Sequence, residues 1–255
     1  MTFPAYIELP GLRVHPHLLM ETVAYAAGAR LYFARLPRET PGGPDLESRL
    51  WILVGCVFGA LLGSKLLAWA EAPLYYRSLP PGVLSALGGK TIVGGLLGGW
   101  AGVEVAKRCT GVAASTGDAF VLPLAVGIAI GRVGCFLTGL SDRTYGVATA
   151  LPWGVDFGDG VARHPTQLYE CAAVLLLGAS VEAARRRAGP RWPAGRAFRV
   201  FIAGYLAFRV AVECIKPREL LLGPLSAIQL ASAAGLLWCL VSLRPCPTGP
   251  ISTPS

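Results

Sequence analysis

The sequence predicts an all-α fold: a polytopic integral membrane protein of about seven transmembrane helices, with its N-terminus outside and its C-terminus inside. Three observations carry this. The 255 residues are 53% hydrophobic and only 15% charged, whereas soluble domains carry about 25% charged residues and need polar surface to face water. Seven stretches are apolar for close to the roughly 20 residues that a helix needs to cross a hydrocarbon layer. The basic residues also fall unevenly on alternate connections.

The stretches are 18–35, 51–70, 86–106, 119–138, 166–184, 198–214 and 224–243. Turn-rich connections such as "LPRETPGGPDLESR", "YYRSLPPG" and "RRRAGPRWPAGR" separate them. The start, "MTFPAYIELPGLRVHPH", lacks a basic segment followed by an apolar core, so the first helix is expected to direct insertion itself. No internal repeat or domain boundary is visible. Residues 1–255 read as one integral membrane domain, with an outer loop at about 140–165 carrying part of the site and a disordered tail at 245–255. With the N-terminus outside, the inside segments hold about twelve basic residues and the outside segments about six. The basic run at 185–199 then anchors the inner face. The net charge of +8 is thereby explained without nucleic acid, which is excluded as a partner.

The seven cysteines form no CxxC pair and the three histidines lack metal-ligand spacing, so neither a metal nor a cofactor is expected. Cys56, Cys171, Cys214 and Cys239 lie in apolar segments, where cysteine packs as a small hydrophobe. In the third stretch, Lys90–Thr91 after glycine suggests a phosphate loop, but Leu84 stands where its first glycine is needed. The overlapping registers Gly94/Gly98, Gly95/Gly99 and Gly98/Gly102 suit close helix packing in lipid; bare backbone there would also admit a lipid head group.

The charged residues inside the stretches carry the functional signal. An arginine at mid-membrane costs roughly 2.5–3.5 kcal/mol, so it faces a partner or a cavity. In "GYLAFRVAVE", Arg209 and Glu213 are four apart, and Tyr205 lies one turn earlier on the same face. In "AIGRVGCFLTGL", Arg132 has no carboxylate three or four residues away, so its partner lies on another helix, in a loop or in a ligand. Two arginines on one polar cavity suit a phosphate, whose oxygens a guanidinium grips in pairs. "RHPTQLYE" opens the fifth stretch with Pro165 at the first helical position and His164 at its positive end. Glu170, one turn in, needs a partner as well.

Taken together, "GRVGCFLTG", "RHPTQLYE" and "GYLAFRVAVE" resemble the prolipoprotein diacylglyceryl transferase family, with "GGKTIVGGLLGG" and "VHPHLLMETVAY" fitting its third- and first-span motifs. The resemblance implies a bacterial inner (plasma) membrane enzyme with seven spans. Such an enzyme moves the diacylglyceryl group of phosphatidylglycerol onto the lipobox cysteine of a prolipoprotein, engaging its signal-peptide region, and releases glycerol phosphate. The residues Arg132, Gly134, Gly139, Arg163, His164, Pro165, Gln167, Tyr169, Glu170, Tyr205, Arg209 and Glu213 match the pattern. Cys135, Thr138 and Leu140 replace its Asn, Asn and Glu, Val93 replaces its histidine, and His17 stands where it has tyrosine.

The resemblance therefore implies Arg132, Arg209, Tyr205, Gly94, Gly95, Gln167 and Glu170 as the site for the lipid phosphate. Arg132 is expected to be balanced by that phosphate rather than by a protein carboxylate, and Glu213 to orient Arg209. The proton acceptor is expected to be His164 first and His17 second. The departures from the pattern also motivate a related transferase with another acceptor or donor, and a non-enzymatic lipid-binding or transport protein.

Overall fold

The computed structural model describes residues 3–9, 12–35, 44–78, 88–217, 221 and 224–243. The expected disordered tail at 245–255 lies outside the described residues. Helices dominate the rest. They are α1 (Pro16–Arg35), α2 (Leu46–Glu71), a short α3 (Pro73–Ser78), α4 (Ile92–Thr110), α5 (Val121–Thr138), α6 (Thr166–Ala188), α7 (Arg196–Val212) and α8 (Ala227–Ser242). Apart from α3, each coincides with one of the apolar stretches. By length and apolar composition three segments suffice to cross a membrane, Leu46–Glu71, Gly117–Asp142 and Thr166–Arg191, and Ala227–Ser242 is a shorter apolar helix. Two antiparallel hairpins complete the fold. One is β1 (Ile7–Leu9) with β2 (Leu12–Val14), the other β3 (Val155–Asp156) with β4 (Ala162–Arg163).

Local chemistry sets the helix starts. Residues 88–91 are not helical, so the third apolar stretch becomes helix later than its composition suggests. Thr91 stops it: its Oγ1 accepts from Gly94 N at 3.3 Å, which satisfies a free amide of the first turn. Pro165 stands one place earlier than expected, as the cap before Thr166 rather than inside the helix. Helix α7 is capped from outside its own segment, since Asp118 accepts from Gly195 N at 2.8 Å and Phe198 N at 3.0 Å. Ser226 and Gln229 form a reciprocal capping box at the start of α8, and Glu71 at the end of α2 accepts from Ile228 N at 2.9 Å.

Helix α1 packs on α5, α2 on α4, α5 on α6, α6 on α7 and α7 on α8. The α2–α4 contact is made by glycine. Gly55, Gly59 and Gly63 face Gly102, Gly98 and Gly94, and a Cβ on Gly59 or Gly98 would strike the carbonyl oxygen of the other. The close packing expected of the third stretch is found, and its counterpart stripe on α2 is a second signal in the sequence. The apolar core lies between α5, α6 and α7, around Val121, Ala125, Val174, Phe201, Ile202 and Leu206. Leu50, Trp51, Val54, Phe58 and Leu61 on α2, and Leu237, Trp238 and Leu240 on α8, are exposed. So many large apolar side chains outside suit hydrocarbon rather than water as the surrounding solvent.

Candidate active site

Three helices of the core each contribute charge to one buried cluster. Glu170 of α6 is its hub and is 2% exposed. Its Oε1 accepts from Tyr205 Oη at 2.6 Å, and its Oε2 accepts from Arg209 Nη1 at 2.8 Å, both from α7. Arg132 Nε of α5 lies 2.9 Å from the same Oε2, an ion pair without an aligned hydrogen bond. Arg209 Nη2 donates to Glu213, the pairing expected from their spacing. Lys216 Nζ lies 3.6 Å from Glu213 Oε1. Ion-pair contacts thus join three cations to two carboxylates.

One expectation is corrected by this geometry. Arg132 was expected to be balanced by a lipid phosphate and not by a protein carboxylate; it meets Glu170 of the adjacent helix. The cause is the packing of α5 on α6, which brings residues 38 positions apart within ion-pair distance. Glu170, in turn, finds the partner that its burial demanded.

The cluster keeps polar capacity in reserve. Arg209 Nε, Gln167 Nε2 and Gln167 Oε1 are buried without a hydrogen-bond partner among the described residues. Gln167 lies three residues before Glu170, on the same side of α6. Unpaired buried polar groups are rare and call for a ligand or a solvent molecule.

The remaining sequence-derived residues fall in three places. His17, in the first turn of α1, joins the edge of the cluster: its Nδ1 is 3.9 Å from Cys135 Sγ, and Arg132 Nη1 is 3.8 Å from that sulfur. Gly134 permits this, because a Cβ there would lie 2.6 Å from Met20 Cβ and hold α1 away. His164 turns elsewhere; its Nδ1 is 3.2 Å from Tyr169 Oη, which accepts from Trp153 Nε1 at 2.8 Å. Gly94 is occupied by the contact with Gly63, whereas a Cβ on Gly95 would meet no atom closer than 3.8 Å. Lys90 pairs with Glu21, which gives that lysine a partner without any phosphate loop.

Two features escaped the sequence reading. Lys216 stood there only as an outside charge. Burial, with Arg209 adding repulsion, lowers its pKa from 10.5 to about 8. Asp142 was not singled out at all, yet its Oδ1 is 3.3 Å from His17 Nδ1. The sequence gives no sign of that contact, because His17 is brought to Asp142 by α1.

Residues 4–244 match the family model described as prolipoprotein diacylglyceryl transferase. Similar proteins include three phosphatidylglycerol–prolipoprotein diacylglyceryl transferases. That of Nitratidesulfovibrio vulgaris (strain DP4) is 35% identical over 183 residues, covering 69% of this chain and 65% of the relative. That of Geobacter sulfurreducens is 37% identical over 192 residues, covering 71% and 70%. That of Rhodospirillum centenum is 33% identical over 277 residues, covering 99% and 94%. The match thus spans a little less than two thirds of the N. vulgaris protein and nearly all of the R. centenum protein.

Proposed function

Because this chain belongs to the prolipoprotein diacylglyceryl transferase family, we propose that it transfers the diacylglyceryl group of phosphatidylglycerol to the lipobox cysteine of a prolipoprotein. It acts as a multi-pass protein of the bacterial inner membrane, with seven spans, N-terminus outside and C-terminus inside. The one-sided bias of basic residues supports that orientation, and the placing of Arg35 3.7 Å from Glu182, which also pairs Arg185 and Arg186, supports a shared inner end for α1 and α6.

The observation that carries the proposal is the buried cluster. It sets Arg132, Arg209 and Lys216 against Glu170 and Glu213 and leaves Gln167 and Arg209 Nε unpartnered. A phosphodiester brings one negative charge and several acceptor oxygens, which suits that surplus. Glu170 and Glu213 hold the two guanidinium groups in place while lipid is absent, so little reorganisation is needed when the phosphate arrives. As the thiol sulfur attacks the glycerol carbon, charge accumulates on the departing phosphate, and fixed guanidinium donors stabilise it. The open backbone at Gly95 is the third-span position left for a head group.

The thiol must lose its proton, since the thiolate is the nucleophile. We assign the group beside the thiol to His17 before His164. His17 reaches Arg132 through Cys135, whereas His164 is engaged with Tyr169. The prolipoprotein binds through its signal-peptide region, presented from the bilayer.

The test is complementation of a conditional strain lacking its own diacylglyceryl transferase, with lipidation of a reporter prolipoprotein followed by its mobility shift. Growth with a lipidated reporter supports the reading. A correctly inserted protein that leaves the reporter unmodified, both there and with purified phosphatidylglycerol, overturns it.

A further inference from the structure

Two of this chain's departures from its family's motif pattern lie beside one another. His17 and Cys135 are 118 residues apart in sequence, and His17 Nδ1 lies 3.9 Å from Cys135 Sγ. Asp142 Oδ1 lies 3.3 Å from the same Nδ1, and one ligand atom from each of the three falls within 4.8 Å of the others. Imidazole nitrogen, thiolate sulfur and carboxylate oxygen are the three donor types that zinc takes.

The spacings fit a tetrahedral ion. With Zn–N and Zn–O near 2.05 Å, tetrahedral geometry places nitrogen and oxygen about 3.3 Å apart, and with Zn–S near 2.3 Å it places nitrogen and sulfur about 3.6 Å apart. The observed separations are 3.3 and 3.9 Å. Outer contacts of the kind that orient metal ligands are present too. The other ring nitrogen of His17, Nε2, is 3.7 Å from Glu21 Oε2. The second oxygen of Asp142 accepts from Thr144 Oγ1 at 2.5 Å. Arg132 Nη1 lies 3.8 Å from Cys135 Sγ. The cluster is reachable, since the His17 side chain keeps 28% of its surface and Asp142 13%.

We propose that His17, Cys135 and Asp142 form a Zn²⁺ site with an open fourth position, and that this position takes the acceptor thiol. Three protein ligands with one open place are the arrangement of catalytic rather than structural zinc. A thiol bound there is deprotonated by the ion. Its proton passes to water at the mouth of the site, and the sulfur remains as a zinc-bound thiolate. The thiolate electron pair then forms the S–C bond to the glycerol carbon. The C–O bond to phosphate breaks, and the phosphate keeps the bonding pair beside Arg132. No redox change occurs. The ion thereby does the work of a proton acceptor where the chain has Val93. The thiol's role rests on the proposed transfer reaction; the metal site does not.

The test measures metal and transfer separately. Purified full-length protein in detergent is stripped with a chelator and titrated with Zn²⁺, with bound metal read by elemental analysis. In parallel it is titrated with Co²⁺, whose thiolate charge-transfer and tetrahedral d–d bands report sulfur ligation. About one equivalent per chain and a sulfur–cobalt band are expected in the wild type. The band should vanish in Cys135→Ser, metal affinity should fall 10-fold or more in His17→Gln and Asp142→Asn, and both should survive in Cys171→Ser. A wild type that binds neither ion, or variants that all keep the metal, overturns the site, whatever the transfer activity. If the metal binds at these residues but the stripped protein transfers as fast as the reloaded one, the role for the thiol is overturned. Reloaded protein that recovers at least 10-fold over stripped protein supports it.

Discussion

Glu170→Gln tests the central balance of the fold. Glutamine keeps the size of the side chain and an oxygen for Tyr205, and removes only the charge. Arg132 and Arg209, 6% and 3% exposed, both contact Glu170 Oε2 at 2.9 and 2.8 Å. Arg209 retains Glu213, but Glu170 is the only carboxylate within ion-pair distance of Arg132 among the described residues. Removing one partner of a buried pair costs about 3–5 kcal/mol, because a charge is left uncompensated. For a chain of this size that is a fall in Tm of about 6–20 °C. Thermal unfolding in neutral detergent, followed by tryptophan fluorescence, measures it. If the freed guanidinium groups then accept a phosphate, micelles containing phosphatidylglycerol should restore more stability to the variant than to the wild type, and uncharged lipid should not. A monodisperse variant whose Tm falls by less than about 2 °C would refute the argument that Glu170 neutralises the cluster.

Other outcomes follow from the same geometry. Arg132→Lys and Arg209→Lys should each slow transfer by about 10²–10³-fold in correctly inserted protein, because lysine keeps charge but loses the paired donors; near-normal rates from either would remove it from the phosphate site. Lys216 binds its proton less tightly when folded, so stability should be lowest below its folded pKa of about 8 and rise with pH toward the ordinary 10.5. That gap corresponds to about 3 kcal/mol, and Lys216→Met should recover most of it at pH 7 and flatten the profile in chemical unfolding. His17→Ala should slow transfer at neutral pH more than His164→Ala does, because His17 stands beside Cys135 and Arg132; the reverse order would return the role to His164. Gly98→Val should push α2 from α4 and cost about 1–3 kcal/mol or more by overpacking, read as loss of monodisperse protein in gel filtration.

The elements were legible in the sequence because long apolar runs bounded by turn residues favour helix, whose backbone bonds itself without water. Among the described residues each of the seven apolar stretches carries one long helix, and the errors lie at their starts, where one side chain decides: Thr91 delayed α4, and Pro165 capped α6 instead of entering it. The site was legible where a single helix sufficed, as with Arg209, Glu213 and Tyr205. It was not legible where two helices had to meet. Glu170 and Arg132 were each recognised as needing a partner, and nothing local told either that it was the other. Asp142 went unrecognised for the same reason, since His17 reaches it from α1; Lys216 was missed although Glu213 lies only three residues before it.

The glycine seam between α2 and α4 divides the molecule by the kind of force that holds it. On that side, bare backbone lies on bare backbone, so cohesion is short-ranged contact that salt and pH leave alone. On the other side, α5, α6 and α7 add opposite charges to their apolar core, and that part of their cohesion depends on protonation and on any anion that enters. Under the proposed function the donor lipid would be one such anion: entering beside the arginines, it would tighten α5, α6 and α7 while the glycine-lined pair stays a fixed wall.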